Sequence, residues 1–229
     1  TVLASDKPDV VERSLEEFEY HADIIRWMGY GRNWQDFKCN VHISGRQGPA
    51  GIISAIQRLS PEARNCITIE NDENKWGIEH SLELVDHCAL VLDIHHHWCR
   101  EKEYIQPTDD RFKRVIDSWR GVRPAIHYSY SRTEELPEGY AHDTLPDMVA
   151  LLEAGYKKGK LRGHSEWYPN KIANDWALSF LPHTDIMCES KMKNLASIDL
   201  YKYYKGKDNE QLSSKNVRQD YSSRELVTG

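Results

Sequence analysis

Apolar positions along the chain follow two alternating periods. Val10, Val11, Leu15, Phe18, Ile24, Ile25 and Met28 recur at roughly helical spacing with acidic residues opposite, which predicts a helix over 9–28 ended by Gly29 and Gly31. After it, short strand-like runs alternate with helix-like runs. The expected strands are Phe37–Ser44, Cys66–Asn71, Cys88–His95, Pro124–Ser129 and Thr184–Ser190. The expected helices lie near 48–59, 77–86, 109–119, 144–154 and 191–204; in the third, Phe112, Val115, Ile116 and Trp119 form one apolar stripe. Such alternation argues for βα units and parallel strands. Five strands are three short of an eight-fold barrel, and an open doubly wound sheet can stop at five or six, so the rhythm alone leaves both open.

Two stretches break the rhythm. Residues 155–183 gather Lys157, Lys158, Lys160, Arg162, His164, Trp167 and Tyr168, which reads either as a solvated excursion or as a basic, aromatic loop facing nucleic acid. Residues 208–229 are polar and read as a loosely held tail. The division expected is one domain over 1–207 and a tail over 208–229.

Composition narrows the class. At 229 residues, 39% hydrophobic and 29% charged, the chain can build one core beneath a well-solvated surface. No stretch approaches the length of a membrane span, and the polar, acidic start Thr1–Val10 does not read as a signal peptide, so a cytoplasmic protein is expected. Cys39, Cys66, Cys88, Cys99 and Cys188 form no CxxC pair and are odd in number, which suggests reduced thiols and argues against cysteine-held zinc. A net charge of -6 argues against a generic polyphosphate-binding surface. It leaves room for a nuclease, because bound metal ions place positive charge where phosphate sits. There is no GxSxG elbow, P-loop or GxGxxG; the loop Gly45-Arg46-Gln47-Gly48 could let backbone approach a phosphate, a weak signal alone.

The chemistry is signalled by position. Each expected strand ends in a metal-capable side chain: His42, Glu70, Asp93, His127 and Glu189, with His96 just beyond Asp93. One such residue is more often a hydrogen-bonded polar group than a ligand, but five of five strand ends is another matter. In a parallel barrel the C-terminal strand ends converge on one mouth. A ring of imidazoles and carboxylates there suits manganese, zinc or iron, and could serve two or three ions. Strand alternation agrees: Asn40, His42 and Ser44 share a face, as do Thr68 and Glu70, Val91 and Asp93, Ala125 and His127, and Met187 and Glu189. The opposite faces (Val41 and Ile43, Ile67 and Ile69, Leu92 and Ile94) are apolar and would meet helices. Of His95-His96-His97, one or two members can face the mouth, while His21, His80, His87 and His164 read as helix-surface or loop residues.

These motifs resemble a known family. Val41-His42-Ile43-Ser44-Gly45, Ile69-Glu70-Asn71-Asp72, Leu90–His97, Ile126-His127-Tyr128-Ser129 and Met187-Cys188-Glu189-Ser190-Lys191 are similar in order and spacing, from about Pro8 to Lys193, to UV damage endonucleases. The resemblance implies a TIM (β/α)8 barrel related to xylose isomerase and endonuclease IV, with this chain covering strands four to eight. It implies a metal-dependent endodeoxyribonuclease of DNA repair that cuts damaged double-stranded DNA 5′ of UV photoproducts, leaving a 3′-hydroxyl and a 5′-phosphate. It implies up to three divalent ions, with manganese favoured and zinc or magnesium as alternatives. Carried over residue by residue, the metal ligands are His42, Glu70 as bridging carboxylate, the pair Asp93 and His96, the pair His127 and His142, and Glu189; Glu70, Asp93 and Glu189 are the catalytic carboxylates. Lys157, Lys158, Lys160 and Lys191 are the candidate DNA contacts. The family has a lysine two residues before the strand-end histidine, where this chain has Ala125. It also has three strands and a Gln-Tyr pair upstream of the region matching Thr1, so an N-terminal segment or a complementing chain is expected to complete the barrel. A sugar isomerase or epimerase on the same barrel, and a non-catalytic damage-binding relative, remain as alternatives.

Overall fold

The computed structural model describes residues 1–140 and 142–207. Helix α1 (Pro8–Trp27) opens with proline at its first position, where the missing N–H costs no bond. It buries Leu15, Phe18, Ala22 and Ile25 in one stripe. Met28, expected to belong to that stripe, lies past the helix end and is exposed.

All five expected strands form, each shorter than its apolar run: β1 (Cys39–His42), β2 (Ile67–Glu70), β3 (Ala89–Asp93), β4 (Ala125–Tyr128) and β5 (Asp185–Cys188). They build one parallel sheet in the order β1-β2-β3-β4-β5. A doubly wound sheet reverses its strand order at a switch point. Strictly sequential order is that of a (β/α)8 barrel, so this chain folds as a mixed α/β half-barrel.

The connections are α2 (Gly48–Arg58), α3 (Pro61–Cys66), α4 (Ile78–Ser81) with a 3₁₀ turn over Leu82–Leu84, α5 (Ile94–Glu101), α6 (Asp110–Ser118), α7 (Met148–Glu153), α8 (Lys158–Leu161) and α9 (Lys171–Leu178). Residues 193–207 are helical and form α10. The tail expected over 208–229 lies outside the described residues. Four short helices, α3, α5, α8 and α9, have no counterpart in the expected pattern. Three of them begin at a local cap: Ser60, Asp93 and Asn170 accept from the backbone N–H three residues on. The β3 run therefore stops at Asp93 rather than His95.

Alternation along the strands separates two cores. Val41, Ile43, Ile67, Ile69, Leu90, Leu92, Ile126 and Tyr128 point outward into the large core shared with the helices. Within it the rings of Phe112 and Phe180 meet edge-on at 4.9 Å. The inward positions Ala89 and Val91 pack with Trp119 into a small second core, against which Trp34, Val122 and Ala125 rest. At the two edge strands the inward face lies open: Asn40, His42 and Met187 are exposed.

The segment 155–183 is anchored rather than solvated throughout. Asn170 is fully buried, and its amide donates to Tyr130 Oη, Tyr140 O and Thr144 O. Tyr168 stacks on Tyr128 at 4.8 Å and donates to Tyr128 O. The glycines after β1 also have a packing role. A side chain at Gly45 (φ +100°) would strike Ala4 O, and one at Gly48 would strike Trp76. All five cysteines are free. Among the described residues no helix is long and apolar enough to cross a membrane.

Candidate metal centre

Parallel pairing brings the strand ends level. His42 stands opposite Glu70, and Asp93 opposite His127. Small polar residues then fix the ends. Asn71, fully buried, donates to Asp93 O (3.0 Å) and accepts from Asp93 N (2.8 Å), locking β2 to β3. Thr68 donates to Asn40 Oδ1 at 2.9 Å, and Asn40 donates to Glu70 Oε2, which sets the carboxylate plane. Asp93 is at once the last residue of β3 and the N-cap of α5: its Oδ1 accepts from His96 N at 2.7 Å. That cap is why the spacing is Asp-x-x-His. It swings His96 back so that Nδ1 lies 3.6 Å from Asp93 Oδ2 and 3.3 Å from Glu70 Oε1.

Two groups of candidate ligands result, and both include Glu70. The inner group is Glu70, Asp93, His127 and Glu189; the outer is His42, Glu70 and His96. In each, one atom per residue lies within 4.8 Å of all the others. In the inner group, His127 Nδ1 is 3.2 Å from Glu70 Oε2 and 3.1 Å from Glu189 Oε1. In the outer group, His42 Nε2 is 3.6 Å from Glu70 Oε2. Two ligands bound at about 2.1 Å to one ion stand roughly 3 to 3.5 Å apart, so this spacing fits a divalent cation. A second sign is that Glu70 Oε1, Asp93 Oδ2 and His127 Nδ1 are buried with no hydrogen-bond partner. Buried polar atoms are otherwise paired in more than about nine cases in ten.

The electrostatics point the same way. Burial pulls His96 and His127 toward the neutral form, yet the carboxylates around them push both up to about 10. Burial, reinforced by Glu70 and Glu189 against the two histidines, pushes Asp93 up to about 6. Burial also works to raise Glu70, but His127 and His96 overcome it and hold Glu70 well below the usual carboxylate range. Protons on imidazole thus supply the positive charge that three clustered carboxylates demand, and a metal ion can replace them.

The sequence profile of the UV-endonuclease UvdE family matches residues 1–219. The chain belongs to that family. It is 24% identical over 205 residues to a UV DNA damage endonuclease of Bacillus cereus (strain G9842), covering 86% of this chain and 56% of that one. Over 103 residues it is 30% identical to a UV DNA damage endonuclease of Nostoc sp. (strain PCC 7120), covering 44% of this chain and 31% of the relative. The crystal structure of SacUVDE superposes with a TM-score of 0.63 at 22% identity, covering 90% of this chain and 63% of that one. The UvdE-family chain therefore spans little more than half the length of the first of these relatives, and its likeness to SacUVDE is one of fold.

Of the seven ligands read from the sequence, six meet in the two groups. The seventh, His142, sits exposed in the loop after β4 and belongs to neither group; it lines an adjoining cleft. A residue read as loop surface stands nearer. His164 is half-buried, its Nδ1 lies 2.8 Å from Glu189 O, and its ring centroid is 6.5 Å from that of His96. An isolated antiparallel bridge to Ser131 holds it there. No strand end or spacing marked His164, because a loop contact 25 residues from Glu189 leaves no local pattern. Glu73 was also passed over: its Oε2 is 3.9 Å from His96 Nε2, and Arg162 pairs with its other oxygen. His95 stacks on Trp98, and His97 is buried against Glu103. Among the lysines, Lys160 pairs with Glu135, Lys157 is exposed and Lys158 half-buried, and Lys191 lines the cleft beside His142.

Proposed function

We propose that this chain is the metal-binding part of a lesion-directed DNA endonuclease that cuts the backbone 5′ of UV photoproducts and leaves a 3′-hydroxyl and a 5′-phosphate. The observation that carries the reading is the inner group: four ligand-capable residues from four strand ends, at ion-binding distances, with three buried atoms unpartnered. Family membership supplies the substrate class. Divalent ions held there, manganese being the expected choice, would acidify water and neutralise charge on a cleaved phosphodiester.

The chain's own residues have distinct tasks in this reading. Glu70 lies in both groups and would tie two ions together, with Asn40 fixing its orientation. Asp93, His127 and Glu189 would hold the inner ion with it. His42 and His96 would hold the outer one, and Asn71 O at 3.0 Å from His96 Nδ1 fixes that ring. The half-exposed outer group faces solvent through His42, which leaves room for a phosphate to enter. Ala125 rests on the apolar core of Val91 and Trp119, and the inner group gathers four ligand-capable residues without a lysine at that position.

The test is incision of a duplex carrying one cyclobutane pyrimidine dimer, with manganese and with chelator. Manganese-dependent scission just 5′ of the dimer supports the reading. Binding of the lesion without scission by metal-loaded protein would replace it with a non-catalytic role, and turnover of a free ketose without scission would replace it with sugar isomerisation.

A further inference from the structure

Beside the outer group, the loops after β4 and β5 enclose a cleft of about 370 Å3, a size at the small end of ligand sites. Its walls include Arg132, His142, His164, Trp167 and Lys191, together with the carboxylates Glu134 and Glu166. The cleft is built rather than incidental. Arg132 N donates to Gly163 O and Ser165 N to Tyr130 O, so residues 130–132 and 163–165 form a short antiparallel ribbon. Lys191 N and Met192 N donate to Ser165 O and Glu166 O, strapping that ribbon to the exit of β5. The ribbon fixes three unusual side chains. Arg132 Nε is buried with no hydrogen-bond partner, and Arg132 has no carboxylate partner among the described residues. Lys191 is exposed and likewise unpaired there. Trp167 presents 39% of its surface to solvent instead of joining the core. Two cations without a carboxylate partner among the described residues and a partly exposed indole, next to a histidine whose Nδ1 lies 2.8 Å from Glu189 O, match one nucleotide: a phosphate and a base.

We propose that this cleft holds one nucleotide of the strand being cut, immediately beside the scissile phosphate. Its base lies against Trp167, and its phosphate lies between Arg132 and Lys191. The inference rests on the nuclease reading and adds a substrate subsite to it. His142 then serves as a wall of the subsite.

The experiment uses a dimer-containing duplex with 2-aminopurine placed next to the incision position, bound in chelator so that no chemistry occurs. Wild-type protein should quench the probe. W167L should restore its fluorescence and weaken binding about tenfold, while W167Y keeps a stacking face and retains most of both. K191Q and R132Q should each lower the slope of log affinity against log salt by roughly 0.7 to 0.9. Circular dichroism of each variant separates loss of contact from loss of fold. If W167L, K191Q and R132Q bind the duplex with wild-type affinity, quenching and salt slope, the subsite is overturned and the nuclease reading stands. If wild-type protein binds no lesion duplex either in chelator or with manganese present, both are overturned.

Discussion

The inner and outer ligand groups share Glu70 but are built differently. The inner group draws on the ends of β2, β3 and β4 and on Glu189 after β5. Asp93 is fully buried, His127 nearly so, and Glu189 mostly covered. The outer group has one buried imidazole, His96, and one, His42, that is 53% exposed at the end of an edge strand. Strand pairing on both sides holds Glu70, Asp93 and His127 in place before any ion arrives, and only Glu189 follows an edge strand. His42 is held on one side only. Preorganisation lowers the cost of ordering ligands on binding, so the inner group should bind its ion more tightly and the outer group should exchange its ion more readily. The structure thus separates a ligand group that is anchored from one that stays open to solvent.

Glu70→Gln should break both groups at once. Removing a mere hydrogen-bonding partner of a ligand typically costs about 10- to 100-fold in metal affinity or activity, so loss of the shared carboxylate should cost more than about 100-fold in incision. The fold should survive, because the amide keeps the side chain's shape. Titration of manganese by electron paramagnetic resonance checks this directly. Wild-type stoichiometry in the variant would end the assignment of Glu70 to both groups.

His127→Ala and His42→Ala sharpen the contrast. The first should weaken the tighter ion by about 100-fold and the second the looser ion by about tenfold. Calorimetric manganese titration resolves the two steps. Equal losses in both variants would mean that burial and strand pairing do not distinguish the groups. A smaller effect is expected from Asn40→Ala, which acts through Glu70 alone: about a tenfold loss shared by both steps. A loss confined to one step would mean that Asn40 positions His42 rather than the bridging carboxylate.

The same contrast explains what the sequence disclosed. Inward-facing chemistry on a strand has a period of two, so Asn40 and His42, or Val91 and Asp93, can be recognised from neighbours alone. All five strands and five of the six meeting residues followed from that period; His96, on helix α5, was marked only by lying just beyond Asp93 and by the family resemblance. The sequential strand order did not, since periodicity says nothing about which strands pair; the family resemblance supplied the barrel. Helix α5 was hidden because Ile94 continues the apolar run of β3, and only the Asp93 cap shows that the chain has turned. His164 and Glu73 were hidden for another reason. They reach the centre from loops, through a bridge to Ser131 and an ion pair with Arg162, and such contacts repeat at no spacing. Segment 155–183 misled by its lysines: its burial depends on Asn170 and Tyr168, whose partners lie far away in sequence.

The last difference to test is how protons and metal compete for the centre. In the ion-free protein His96 and His127 titrate near 10, above the ordinary 6.5 of an unfolded histidine. A folded-state pKa raised in this way adds stability that is complete below about pH 6.5 and is lost as pH climbs toward 10. Asp93, raised from 3.8 to about 6, works in the same direction at lower pH: its ionisation in the fold is disfavoured, and stability falls between those two values. Chelated protein should therefore unfold at progressively lower temperature from pH 6.5 to pH 9. Manganese takes over the role of the protons, and its binding must release them, so the rise in melting temperature that manganese produces should grow over the same interval. Differential scanning calorimetry at matched ionic strength reads both curves. A manganese-induced rise that stays constant from pH 6.5 to 9 would show that the ion binds away from His96 and His127. That result would return the two histidines to a purely structural pairing with Glu70, Asp93 and Glu189.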